Sequence, residues 1–355
     1  MTFLFFFLVV SNKTNTGQVN IDDDEFSSCK FVFSDENFQL SCESIRSKLI
    51  SPDQNRIESI LVHDNPEQAE IVLPNGDKYV WYLAFGSMTN PISLYLRDLI
   101  PLISYPVKCL NHKLTFRTLA GMADIESSVD DEFHGVVHLL TNEQITRLDG
   151  IEVFYHRIQI DCFDYRNRSH RVYAYQTNIN DQPTTNPHER YLDIIIKGCE
   201  YYKVQQEYID CLRNTQQVIP RKSPKDFQSF DNIPLDVFYS IDELEKHNGT
   251  DPSLPLWICV NDKILEYAGL PSKDDPNYEF QRSFYSYFSQ KLGGREITTL
   301  MARTLYEPLY KLPLNDDDIC QEHRAQIEDD YYTTFACSQN KSYWTPIGRL
   351  FQKEK

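Results

Sequence analysis

The run Tyr79–Phe85 (YVWYLAF), cut off by Gly86-Ser87, constrains this chain more than any other stretch. An apolar and aromatic run of strand length has no polar face to offer water, so it reads as a buried strand stopping at a tight loop. Similar signals follow without a long break to about residue 213. Gly135–Leu140 (GVVHLL) is a second short apolar strand. Thr141-Asn142-Glu143-Gln144 has capping-box form, with Ile145 and Leu148 at helical spacing behind it and Gly150 as the expected helix end. Phe154–Phe163 alternates with Ile158, Ile160 and Cys162 on one face, and Arg171–Gln176 reads as its hairpin partner across a turn at Arg166–Ser169. Pro187 opens a helix through Tyr191, Ile195 and Gly198, and a further helix runs to about Leu212.

Outside this region the pattern changes. A chain of 355 residues exceeds what one core usually organises, and 41% hydrophobic residues can fill two. Residues 1–77 read as a polar N-terminal extension, 78–213 as the folded unit just described, 214–254 as a linker, and 255–355 as a C-terminal accessory domain opening on the strand-like LWICV. The run MTFLFFFLVV at the start is too short to span a bilayer and matches the apolar core of a signal peptide over residues 1–11. It favours the secretory pathway over the cytoplasm, although the basic flank of a signal is missing and a buried N-terminal strand is the alternative. N-x-S/T sequons begin at Asn12, Asn167, Asn248 and Asn340.

A formal net charge of -17 argues against nucleic acid and anionic lipid as partners, and no stable membrane insertion is expected. The nine cysteines show no C-x-x-C spacing, and no His/Cys cluster has the spacing of metal ligands, so no metal site is expected. Cys29 and Cys42 could pair in an oxidising compartment; Cys162 and Cys259 lie in apolar strands and read as small core residues. His134, His138 and His156 lack carboxylate or cysteine partners at motif spacing and read as structural.

Two features could carry chemistry. A strand-end loop with Gly86-Ser87 can aim backbone N–H groups at an anionic oxygen. Glu152 stands among Ile151, Val153 and Phe154, where burial would raise its pKa toward the range useful for proton transfer. These features fall into an ordered series: YLAFGS (Tyr82–Ser87), GVVHLL, LDGIE (Leu148–Glu152), Tyr155, the strand RVYAY, and NPHERYLDIIIKG (Asn186–Gly198). The series resembles the γ-glutamylcyclotransferase-like family. That resemblance implies an α+β fold built on a small mixed β-barrel with short helices over about residues 79–213. It implies Glu152 as the catalytic acid/base, and Tyr82, Leu83, Ala84, Phe85, Gly86, Ser87, Met88 and Tyr191 as the substrate-binding set.

The implied reaction is intramolecular aminolysis of a small γ-glutamyl compound, giving 5-oxoproline and a free amine or amino acid, with no cofactor. Two departures stand in the loop: Phe85 where the family usually has Tyr, and Met88 where it usually has Asn, with Asn90 two residues later. They favour the alternative, an inactive binding module that keeps the fold, whereas retention of Glu152 opposes it. In the C-terminal region, Leu256–Tyr267 and Leu292–Met301 are similar in outline to cytochrome b5-like domains. Asp262 and Glu266 depart from that pattern and no axial haem ligand can be assigned, so the region reads as an accessory helical domain.

Overall fold

The computed structural model describes residues 53–117, 121–152, 155–177, 184–220, 236–270, 272–274, 278–302, 323–324, 327 and 344–351. The N-terminal apolar run, Cys29, Cys42 and the sequons at Asn12 and Asn340 lie outside the described residues.

The fold is α+β. One sheet holds β1 (Glu70–Val72), β2 (Lys78–Ala84), β3 (Ser104–Arg117), β4 (Met122–Thr141), β5 (His156–Asp164) and β6 (Ser169–Gln176), in spatial order β1-β2-β4-β3-β5-β6. β6 also meets β2 in parallel through Tyr82 and Tyr173, so β2, β4, β3, β5 and β6 close into a small mixed barrel. The apolar run of β2 is explained by its place in this ring. Trp81, Leu83 and Phe85 enter the main core, while Val80, Tyr82 and Ala84 enter a second apolar cluster with Met88, Leu94, Leu99, Leu140, Ile145, Leu148 and Tyr175. A strand buried on both faces has no position left for a polar side chain.

Helices fasten this barrel. α1 (Gln54–Leu61) begins at Asp53, whose carboxylate accepts the amides of Asn55 and Arg56, and it places Ile57 and Ile60 in the main core. Asp64 follows, taking the Trp81 indole N–H at 2.7 Å and bonding His170 Nδ1 at 2.8 Å. The sheet and its core therefore begin before residue 78. α2 (Pro91–Leu96) leaves the Gly86-Ser87 loop. α3 (Asn142–Ile151) starts with the capping box of Thr141 and Gln144, both bonds of which are formed. Gly150 does not end it: the helix runs through Ile151 and Glu152 is its C-cap. α4 (Glu189–Tyr201) buries Tyr191, Leu192, Ile195, Ile196 and Cys199 against the barrel, and α5 (Gln206–Thr215) follows.

A second sheet, ordered β7-β10-β9-β8, is made of β7 (Phe238–Tyr239), β8 (Trp257–Val260), β9 (Lys263–Tyr267) and β10 (Trp344–Leu350). α6 (Ile241–Lys246), α7 (Tyr278–Lys291) and α8 (Thr298–Ala302) belong to the same stretch of chain. The C-terminal region is thus a sheet with helices and not a helical domain. β7 and α6 come from the stretch read as a linker, and β7 pairs with the final strand. Among the described residues no helix is long and apolar enough to cross a membrane. Cys162 and Cys259 are buried and free, as are Cys109 and Cys199.

Candidate active site

The loop after β2 is held from three directions. Residues Ser87–Thr89 form a single 3-10 turn, with the Thr89 amide donating to Gly86 O at 3.0 Å and the Asn90 amide to Ser87 O at 3.0 Å. From α4, the Ile195 and Ile194 carbonyls accept from Thr89 Oγ1 at 3.3 Å and Asn90 Nδ2 at 3.2 Å. This approach depends on Gly198, where a Cβ would lie 2.4 Å from the Thr89 carbonyl carbon. From β4, His138 bonds the Met88 carbonyl through Nε2 at 3.1 Å and Ser104 Oγ through Nδ1 at 2.7 Å. Burial pushes His138 down to about 3, so the ring is neutral, its Nε2–H donates to Met88 and Nδ1 accepts from Ser104. Asn90 Oδ1 caps α2 at the Ile92 amide, 3.0 Å away.

Tyr191 reaches the loop from α4. Its hydroxyl accepts the amides of Ala123 (3.2 Å) and Ser87, and burial moves its pKa up to about 12. Gly86 makes room for it: a Cβ there would stand 2.9 Å from that hydroxyl. The requirement at Gly86 is therefore close approach and not a left-handed backbone, since φ is -104°. Tyr155 adds a second phenol, donating to the Ala123 carbonyl at 3.3 Å.

Glu152 faces this group from the end of α3. Its amide caps the helix at Leu148 O, and a turn to Tyr155 follows at once. Among the described residues no hydrogen bond or ion pair holds its carboxylate. Burial raises its pKa to about 7, and the Arg97 charge opposes that rise without cancelling it. The same carboxylate helps to hold Tyr82, Tyr155 and Tyr191 protonated, and its field also reaches Arg97. Glu152, Tyr82, Tyr155, Tyr191, Arg97 and the Gly86-Ser87 loop thus converge. Among the described residues no group of His, Cys, Asp and Glu is arranged to hold a metal ion.

Not every residue of the expected binding set joins them. Leu83 and Phe85 pack in the main core, Phe85 edge-on to Phe133 with ring centroids 5.9 Å apart. The hydroxyl absent at Phe85 is therefore absent from the core. Ala84 and Met88 are buried in the second cluster beside Tyr82, with Tyr155 and Tyr173 at its margin. Arg97 was not picked out from the sequence, although a lone cation within PISLYLRDLIPLI was the available signal.

The AIG2-like family matches residues 132–212 of the chain. A solved γ-glutamyl cyclotransferase is 21% identical, with 41% of this chain and 90% of that one covered and a TM-score of 0.36. An uncharacterized protein from Homo sapiens is 20% identical over 39% of this chain and 88% of that one, TM-score 0.35. An AIG2-like protein from Mus musculus is 11% identical over 32% and 89%, TM-score 0.27. No curated protein matches the chain. The matched stretch runs from the end of β4 through Glu152 and Tyr191 into α5, and it is this stretch that is similar to the AIG2-like family.

Proposed function

We propose that this chain is a γ-glutamylcyclotransferase with Glu152 as its acid/base. The observation that carries the reading is a carboxyl with no hydrogen bond or ion pair among the described residues, raised to about 7, beside a glycine loop and two buried phenols. A group with a pKa near neutrality can both take and return a proton. In the reaction the α-amine of the γ-glutamyl group attacks its own γ-carbonyl. A C–N bond closes the five-membered ring as the bond to the leaving amine breaks. The proton lost by the attacking nitrogen passes to Glu152 and from there to the leaving nitrogen.

The loop supplies electrostatic and positional help. The amides of Ser87, Thr89 and Asn90 are engaged by Tyr191 or within the turn, which leaves those of Gly86 and Met88 outside these bonds. We assign these two as donors to the developing oxyanion. Tyr82 and Tyr191, both held protonated, orient the substrate so that nitrogen and carbonyl meet.

The test is to incubate purified protein with glutathione, γ-glutamyl amino acids and γ-glutamyl-lysine isopeptide and to measure 5-oxoproline. Release from at least one supports the assignment. Binding of these compounds with no 5-oxoproline from any would leave the binding-module reading in its place.

A further inference from the structure

Arg97 is a cation placed where the fold gives it little to do. It follows α2 as that helix's C-cap, within the apolar stretch that runs on from the substrate loop. Nη1 donates to the Ser93 carbonyl at 3.0 Å, a helix-end contact that uses one of its five N–H groups. Nε is buried and has no hydrogen-bond partner among the described residues. The neighbouring Asp98 is committed elsewhere, to Arg147. Glu152 is the carboxylate whose field reaches Arg97, yet the two form no ion pair. A half-buried guanidinium whose buried Nε–H makes no hydrogen bond is costly unless an anion arrives to use it.

We propose that Arg97 binds the α-carboxylate of the substrate, so that Arg97 and Glu152 together select a free α-amino-acid head. This rests on the cyclotransferase reading. The attacking amine must come to Glu152, and the carboxylate on the same carbon must then lie beside it. Two opposite protein charges that lie within each other's field without forming an ion pair match a head that carries both charges. A guanidinium meets a carboxylate through two parallel N–H bonds, which also fixes the rotation of the α-carbon and hence the direction of attack. A phosphate ester would instead put two negative charges near Glu152. After ring closure the nitrogen is an amide and no longer basic, so 5-oxoproline keeps only the Arg97 contact.

The experiment compares the best γ-glutamyl substrate with its α-carboxamide analogue in the parent, Arg97→Met and Arg97→Lys proteins. Charged hydrogen bonds of this kind correspond to roughly 10- to 100-fold in kcat/KM. The parent is expected to prefer the acid by about that factor. Arg97→Met should bring the preference to within about three-fold, and Arg97→Lys should restore part of it. Calorimetric binding of 5-oxoproline should weaken in step. A parent that treats acid and amide alike, or an Arg97→Met protein that keeps the parent's preference, overturns the inference while leaving the cyclotransferase intact. If Arg97→Met does not fold, the parent's own comparison and Arg97→Lys decide. If no substrate yields 5-oxoproline, the functional reading fails separately. Calorimetry on the acid and amide pair then judges Arg97: tighter binding of the acid supports the inference, and equal binding overturns it.

Discussion

Glu152→Gln removes the ionisable group while keeping the size and most of the packing of the side chain. 5-Oxoproline formation should fall by on the order of 10²–10⁴-fold, with the fold unchanged by circular dichroism. The parent's rate should rise as pH passes through about 7, because the base must be ionised, and this limb should vanish in the variant. Stability gives a second readout with a definite sign. The folded pKa of Glu152 lies above its unfolded value of 4.5, so the native state holds the proton more tightly between 4.5 and about 7. Its contribution is fully present below 4.5 and is lost as pH rises through 7. Denaturation midpoints at pH 5 and pH 8 should therefore differ less in Glu152→Gln than in the parent. The difference between them corresponds to at most about 3 kcal/mol.

The elements that place these residues differ in how openly the sequence announces them. α3 is written locally: Thr141 and Gln144 close a capping box, and Ile145 and Leu148 supply the buried stripe. Thr141→Ala should lower stability by about 1 kcal/mol in a denaturant titration, with kcat little changed. β2 was legible for a similar reason, since a strand buried on both faces is apolar at every step. The first half of β4 was not, because Met122–Phe133 includes the exposed, acidic turn-like stretch SSVDDE and is made a strand by its long pairing with β3. Nor could sequence spacing show that α4 presses on the Gly86-Ser87 loop. That contact joins residues about a hundred positions apart, through Gly198 and the bonds of Thr89 and Asn90. Gly198→Val should force the helix off the loop, raising KM for the γ-glutamyl substrate at least ten-fold and lowering the melting temperature. A variant that keeps the parent's KM would show that this packing does not shape the loop.

At the scale of the whole molecule, the C-terminal half of the chain reaches the back of the candidate site. His323 is buried, and its Nε2 lies 2.9 Å from Ser93 Oγ in α2. The backbone carbonyl of the same Ser93 holds Arg97. Burial, with the charges of Arg97 and Arg190, pushes His323 down to about 3, so the ring is neutral at physiological pH. This link could not be read from composition or spacing, because 230 residues separate its two ends. It joins α2, the helix that leaves the Gly86-Ser87 loop, to a part of the chain that the sequence presents as an accessory.

Ser93→Ala and His323→Leu each remove one side of a buried hydrogen bond, and each should cost about 1–3 kcal/mol. The double variant loses the same bond only once, so it should be less destabilised than the sum of the singles by roughly 0.5–3 kcal/mol. If the link also steadies Arg97, both single variants should raise KM for the α-carboxylate substrate and leave that for its α-carboxamide nearly unchanged. Strict additivity of the two single effects on stability would mean that the C-terminal segment packs on α2 without being coupled to it.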